Sequence, residues 1–219
     1  AYSVLGMSWI RQGETEKAEK ALTRATANGS QIGVAFYELA KIKAVNGDTA
    51  AAIRLLESAV EIEPNVLRYY LALASLHQRS GDLAGVIAVY EDGIARNPDS
   101  AVPLLNNVAL VYLSQGATEK ALQRAHAALE LAPTDANVLD TVGWVYLQDE
   151  TPEKGIPYLE QAVDGNPASS QYRYHLGMGY YKIGANERAK AELEEALDRQ
   201  SNAPWTPEIR RVLAAIGES

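Results

Sequence analysis

The chain is expected to be all-α: an α-solenoid of about six helical hairpins followed by a C-terminal capping helix. Three observations point there. Pro64, Pro98, Pro133 and Pro167 recur at gaps of 34, 35 and 34 residues, a period that marks stacked helical hairpins, none of which can bury its apolar face alone. Glycine and alanine recur in register with those prolines. Within each period apolar residues return at helical spacing, as in PLLNNVALVYLSQ over 103–115. Counting back from each proline gives units of about 1–32, 33–66, 67–101, 102–135, 136–169 and 170–203, with 204–219 as the capping helix and tail.

The first unit opens in mid-helix at AYSVLGMSW, carries Gly6 and Trp9, turns at Gly13 and continues through Ala18 and Ala25 to an end near Ser30. The second repeats the pattern with Ala40, Gly47, Ala52, Ala59 and Pro64. The third has Ala74 and Gly81, but places His77 where other units have an aromatic, and Val86 and Gly93 where they have alanine. In the fourth, Pro103 suits a first helical turn, where its missing N–H is not needed. Gly116 ends that helix, and Ala121, Ala125, Ala128 and Leu131 form the inward stripe of the next. The turn glycines supply the left-handed conformation at a helix C-terminus.

The fifth unit departs furthest. Glu150 replaces the turn glycine, Gly155 replaces alanine, and Pro157 falls in the second turn of a helix that Thr151-Pro152 can start. A proline there removes a hydrogen bond and clashes with the preceding turn, so that it should kink or delay the helix. It is read as a tolerated defect, with a functional hinge as the alternative. The sixth unit returns to Gly177, Tyr180, Gly184, Ala189 and Ala196. The segment PWTPEIRRVLAAI from Pro204 to Ile216 has no repeat signature and reads as a cap with a more polar outer face.

These residues resemble the tetratricopeptide repeat (TPR) family, whose pattern is large–small at positions 7–8, an aromatic at 11, alanine at 20 and 27 and proline at 32. Trp9, Tyr112, Tyr146 and Tyr180 match the aromatic. The resemblance covers essentially the whole chain and implies a right-handed solenoid whose first helices line a concave groove through positions 2, 5, 9, 12 and 13. Carried over residue by residue, the N-terminal half of that groove offers Tyr37, Lys41, Arg68, Leu71, Ser75 and Arg79. Arg68 and Arg79, about three turns apart, are candidates for a carboxylate. The C-terminal half offers Asn106, Leu110, Leu113, Asn137, Asp140, Trp144, Leu147, Tyr174, Met178, Tyr181 and Lys182. Asn106 and Asn107 are placed to hold a peptide backbone, with Trp144 as anchor; the alternative is that Trp144, Leu110 and Leu147 merely pack against neighbouring helices. The tail-binding clamp of some family members needs a Lys–Asn pair and a further Asn. The corresponding pairs here are Tyr37/Lys41, Leu71/Ser75 and Asn106/Leu110, so no heat-shock co-chaperone is implied.

Composition limits the chemistry. A net charge of −8 with pI near 5.0 argues against nucleic acid as main partner, since phosphate binding needs a concentrated basic face. Without cysteine, disulfides and thiolate metal sites are unavailable, which suits cytoplasm and bacterial periplasm equally. No apolar run approaches the length of a membrane span. His77, His126 and His175 lie more than a repeat apart and read as isolated structural or surface residues. Glu192, Glu194, Glu195 and Asp198, alternating with Lys190 and Arg199, read as a solvated helix face. Gly177-x-Gly179 lies mid-helix and means close packing. No catalytic, metal or cofactor site is expected.

Two stretches narrow the resemblance. Residues 106–148 and 172–197, with Leu139-Asp140-Thr141-Val142-Gly143-Trp144 and Arg173-Tyr174-His175-Leu176, are similar to bacterial TPR proteins of exopolysaccharide export and the PEP-CTERM/exosortase system. This implies a non-enzymatic scaffold that binds a protein or peptide partner, in the periplasm or associated with the envelope, with a cytoplasmic location as alternative. The chain lacks a lipobox cysteine and the order of a signal peptide, and is read as an excised or processed fragment. Two other readings stay open: a self-associating scaffold, and a regulatory segment of a larger enzyme or secretion protein.

Overall fold

The computed structural model describes residues 1–27 and 31–217; the end of the first unit near Ser30 and the final two residues of the tail lie outside them. The described residues form helices and no strands. Their order is α1 (Tyr2–Arg11), α2 (Thr15–Ala27), α3 (Gly33–Val45), α4 (Thr49–Ile62), α5 (Leu67–Arg79), α6 (Leu83–Arg96), α7 (Val102–Ser114), α8 (Thr118–Leu131), α9 (Ala136–Gln148), α10 (Pro152–Gly165), α11 (Ser170–Lys182), α12 (Asn186–Arg199) and α13 (Thr206–Gly217). The order pairs into six helical hairpins followed by a single helix. The chain divides into two compact units, Ala1–Leu104 and Leu105–Ser219.

The turn inside each hairpin is a Schellman motif. In the fourth, the N–H of Gly116 donates to the Leu113 carbonyl and that of Ala117 to Tyr112, both at 2.9 Å. Gly13, Gly47, Gly81, Gly116 and Gly184 all have positive φ, from 71° to 85°. Glu150 takes the same place with φ 57°, and the Thr151 N–H still reaches the Tyr146 carbonyl at 3.1 Å. The motif survives without its glycine, in a conformation that costs a side-chain-bearing residue about 1 kcal/mol.

Turns between hairpins use the proline differently. Glu63, Asn97, Ala132 and Asn166, each just before the period proline, leave the helical region, with φ from −134° to −144° and ψ from 54° to 80°, since the proline ring disfavours the α conformation in its predecessor. Asp135 and Ser169 then cap the next hairpins by accepting backbone N–H bonds, as Asp48 and Asp82 do inside hairpins for α4 and α6, each cap contributing about 1 kcal/mol.

The register of small residues is a packing device. Ala18, Ala52, Ala121 and Ala189 are fully buried. A Cβ on Gly6, Gly143 or Gly177 would stand 2.5, 2.5 or 2.7 Å from the side chain of Leu22, Leu159 or Leu193 of the paired helix, so each leucine fills the hole its glycine leaves. In the fifth hairpin both partners are glycine, and a Cβ on Gly155 would lie 2.6 Å from the Gly143 carbonyl oxygen. There the two backbones themselves are in contact. Gly179 likewise meets Ile156 and Leu147, the close packing expected of the Gly-x-Gly pair.

Pro157 does not delay its helix, contrary to expectation: α10 begins at Pro152 and runs unbroken to Gly165. The reason is position. Pro157 and Glu153, whose carbonyl loses its intrahelical donor, are both exposed, so water replaces the missing bond. The cap starts two residues later than its sequence suggested, at Thr206. It buries Ile209 and Val212, and turns Arg210 and Arg211 outward.

Candidate partner-binding face

Within Ala1–Leu104, the aromatic at position 5 of the second repeat is built into a cation–aromatic stack. Tyr37 on α3 lies 5.3 Å from Tyr69 between ring centroids. The Arg68 guanidinium sits over both rings at 5.5 and 5.3 Å, and the Lys41 ammonium is 5.4 Å from Tyr37 while pairing with Glu38 at 2.9 Å. Tyr69 donates to Glu63 at 2.7 Å, and the other Glu63 oxygen accepts the Gly33 N–H at 3.1 Å. Arg68 is thus committed to ring faces, whereas Arg79, the last residue of α5, is exposed. The structure does not bring the two arginines together.

Within Leu105–Ser219, the named side chains fall into two layers. The outer layer is an open cleft of about 580 Å³ lined by Leu110, Leu113 and Ser114 of α7, Gly116, Thr118 of α8, Trp144 and Gln148 of α9 and Glu208 of α13. Leu110 is 38% exposed, an apolar side chain left in water at the rim. Beneath lies an aromatic layer. The Trp144 ring stacks on His175 with centroids 4.0 Å apart and planes at 20°. Tyr174 lies beside both and stacks in turn on Trp205 at 5.1 Å and 9°.

Polar groups under the aromatics are paired. His175 Nδ1 is 2.8 Å from Asp140 Oδ1, with both residues buried. Tyr174 donates to Glu208 at 2.6 Å, and Tyr172 to Asn137 at 2.6 Å. Burial, reinforced by the Glu208 carboxylate, pushes the Tyr174 hydroxyl far above its ordinary range. Burial and the bond to Glu160 hold Tyr180 up at about 12. These hydroxyls remain donors at any physiological pH.

Of the residues named from the sequence, Trp144, Leu110 and Leu113 line the cleft. Leu147 is wholly buried, and Met178, Tyr174 and Asp140 are nearly so; they hold the floor in place. Tyr181 and Asn107 are half-buried. Asn106 is half-buried too, with its Oδ1 shielded from water and lacking a hydrogen-bond partner. The Lys182 ammonium donates to the Leu147 carbonyl at 2.8 Å, on the last turn of α9. Sequence reasoning missed the partners of the histidines. His77 pairs with Asp82, His126 with Tyr146 and His175 with Asp140. The last pair spans 35 residues, one repeat and a step, and that offset is the only signal the chain carries for it. Glu192 is also more than solvated surface, since it pairs with Arg173 at 2.7 Å. Among the described residues no three His, Asp or Glu side chains are grouped to hold a metal ion, and no helix is long and apolar enough to cross a membrane.

Comparison with known proteins agrees with this architecture. Two family models, each described as tetratricopeptide repeat, match: one over residues 3–66 and 143–215, the other over 45–108. No curated protein matches in sequence. Among solved structures, the APC/C hetero-tetramer Cut9–Hcn1 superposes at TM-score 0.70 with 18% identity over 97% of this chain, which spans only 42% of that one. YrrB, described as having an unusual peptide-binding site, gives TM-score 0.65 and 14% identity over 88% of this chain and 99% of its own. PilF of Pseudomonas aeruginosa gives 0.66 and 22% over 85% and 89%. At these identities the likeness establishes an all-α helical-repeat solenoid and nothing finer.

Proposed function

Because the chain belongs to the tetratricopeptide repeat family, whose members bind protein or peptide partners, we propose that it is a non-enzymatic scaffold that takes a partner in the cleft between α7, α9 and α13. The observation that carries this reading is Trp144. A half-buried indole held flat on His175, beside the exposed Leu110, is a rigid apolar anchor whose ordering cost is already met in the free protein. Ser114, Thr118 and Gln148 around it supply hydrogen-bonding groups for a peptide backbone. The partner belongs to a bacterial envelope or exopolysaccharide-secretion assembly, with the chain in the periplasm or on the envelope; the support is the likeness of residues 106–148 and 172–197 to proteins of such systems. The chain's own role there is to hold a protein in place.

The test is capture of partners from a bacterial envelope extract by wild type, Trp144→Ala and Leu110→Ser. Truncating a central aromatic anchor typically costs 2 kcal/mol or more, about a thirtyfold loss of affinity. Leu110 is at the rim, so its replacement leaves the fold intact. Equal capture by all three proteins overturns the cleft as the binding site.

One observation favours self-association as a second reading. Leu5 of α1 is 44% exposed, whereas Leu39, Leu73, Val108, Val142 and Leu176, at the same repeat position, are all at most 6% exposed. Tyr2 and Val4 beside it are exposed as well. This face suits another repeat, and a second copy is one source. A mass in light scattering that rises with concentration, and no longer does so in Leu5→Glu, supports it; a monomer throughout refutes it.

A further inference from the structure

The cleft holds one charged side chain, Glu208, and it ends on the last turns of two helices. Ser114 closes α7 and Gln148 closes α9. Helix C-termini carry partial negative charge and favour cations. The fold shows how it satisfies such an end: Lys182, the last residue of α11, places its ammonium 2.8 Å from the Leu147 carbonyl on the last turn of α9. One hairpin earlier, the same relation would bring the last residue of α9 to the Leu113 carbonyl on the last turn of α7. That residue is Gln148, which has no charge. The Leu113 carbonyl accepts the Gly116 N–H at 2.9 Å, but the C-terminus of α7, on the cleft wall, lacks the cation that the C-terminus of α9 possesses.

Glu208 adds a second negative group. One of its oxygens accepts from Tyr174, and the other is 3.6 Å from Arg211, whose side chain is 78% exposed. That ion pair is long and solvated, so it is worth little and a better-placed cation displaces it. The surrounding unit agrees in sign: residues 105–219 hold ten Lys and Arg against sixteen Asp and Glu, net −6. Both arginines of α13 point outward from its buried Ile209 and Val212, and Lys182 is already engaged.

We propose, resting on the cleft reading above, that the occupant is a basic-apolar peptide segment of a partner protein. Its apolar residues pack on Trp144 and Leu110. A lysine or arginine supplies at the end of α7 the ammonium or guanidinium that Lys182 supplies at the end of α9, and its neighbour pairs with Glu208. An acidic tail is disfavoured, because no free cation lines the cleft.

Three fluorescein-labelled dodecapeptides test this. They share one pattern of leucines and carry lysine, glutamine or glutamate at the intervening positions. Anisotropy is read against wild type, Gln148→Lys, Glu208→Gln and Trp144→Ala. The lysine peptide should bind wild type about fivefold more tightly than the glutamine peptide, with the glutamate peptide weakest and the preference fading as salt rises. Gln148→Lys builds the missing cation into the protein, and it should abolish the preference for the lysine peptide over the glutamine peptide. Glu208→Gln should reduce the preference about twofold to threefold. Equal binding of all three peptides to wild type, with loss in Trp144→Ala, overturns the basic specificity and keeps the cleft. Binding of none, or binding unchanged by Trp144→Ala, overturns both.

Discussion

Replacing Gly155 by alanine separates packing from propensity. Alanine is what the repeat pattern places at this position, and in a helix interior it is favoured over glycine by about 1 kcal/mol. A stabilised protein would follow from propensity alone. The structure opposes this. The added Cβ would meet the Gly143 carbonyl oxygen at 2.6 Å, Leu147 Cδ1 at 2.8 Å and Tyr146 Cβ at 3.1 Å. Leu147 can shift its branch, but the carbonyl belongs to a helix and moves only if α9 and α10 part. Overpacking of a filled site costs about 1–3 kcal/mol, and the upper part of that range applies when backbone must yield. Less the propensity gain, Gly155→Ala should lose about 1–2 kcal/mol. The assay is urea unfolding followed by helical circular dichroism and by tryptophan fluorescence, with midpoints compared because repeats need not melt as one unit. Gly217→Ala, where nothing lies within 4 Å of the added carbon, is the control and should move the midpoint little. A Gly155→Ala midpoint equal to or above that of wild type would refute the backbone contact as the reason for glycine.

Two further substitutions have the opposite sign or a pH signature. Glu150→Gly relieves the left-handed turn residue (φ 57°) and should raise stability by about 0.5–1 kcal/mol net of the greater freedom of the unfolded chain, read as a higher urea midpoint. Tyr180, held up at about 12 when folded against about 10 unfolded, contributes stability that is complete below pH 10 and is lost as pH climbs from about 10 to about 12. Unfolding free energies of wild type minus those of Tyr180→Phe should fall across that window; a flat difference profile would show that the hydroxyl gains nothing from burial or Glu160.

Much of this could be read in the chain because a repeat states its own register. A glycine near residue 15 of five of the six units specified the Schellman turn, and small residues facing leucine specified the helix contacts. Glu150 shows the limit of composition: the motif is enforced by five other copies of the same geometry, so one side chain in the wrong place is tolerated. The reading of Pro157 as a tolerated defect agrees with the unbroken α10; the delay expected of it does not occur, because the cost of a proline depends on whether the carbonyl it orphans faces water, and exposure is not in the sequence. For the site, periodicity told which face Leu147, Met178, Asp140 and Tyr174 occupy. How deeply the next hairpin covers them depends on side chains about 35 residues away, as the His175–Asp140 pair illustrates.

The terminal helix α13 closes the hydrophobic core through Ile209 and Val212, and its Glu208 also forms one wall of the cleft. Within α13 only Thr206, Ile209 and Val212 are buried, and local unfolding is cheap for an element with so little burial. Each excursion that frays α13 therefore removes a wall of the site, and any occupant that touches Glu208 must draw that helix back. Binding and terminal order are then two readings of one equilibrium, visible as slowed amide exchange along α13 when the cleft is filled and as weakened affinity when the helix is cut away.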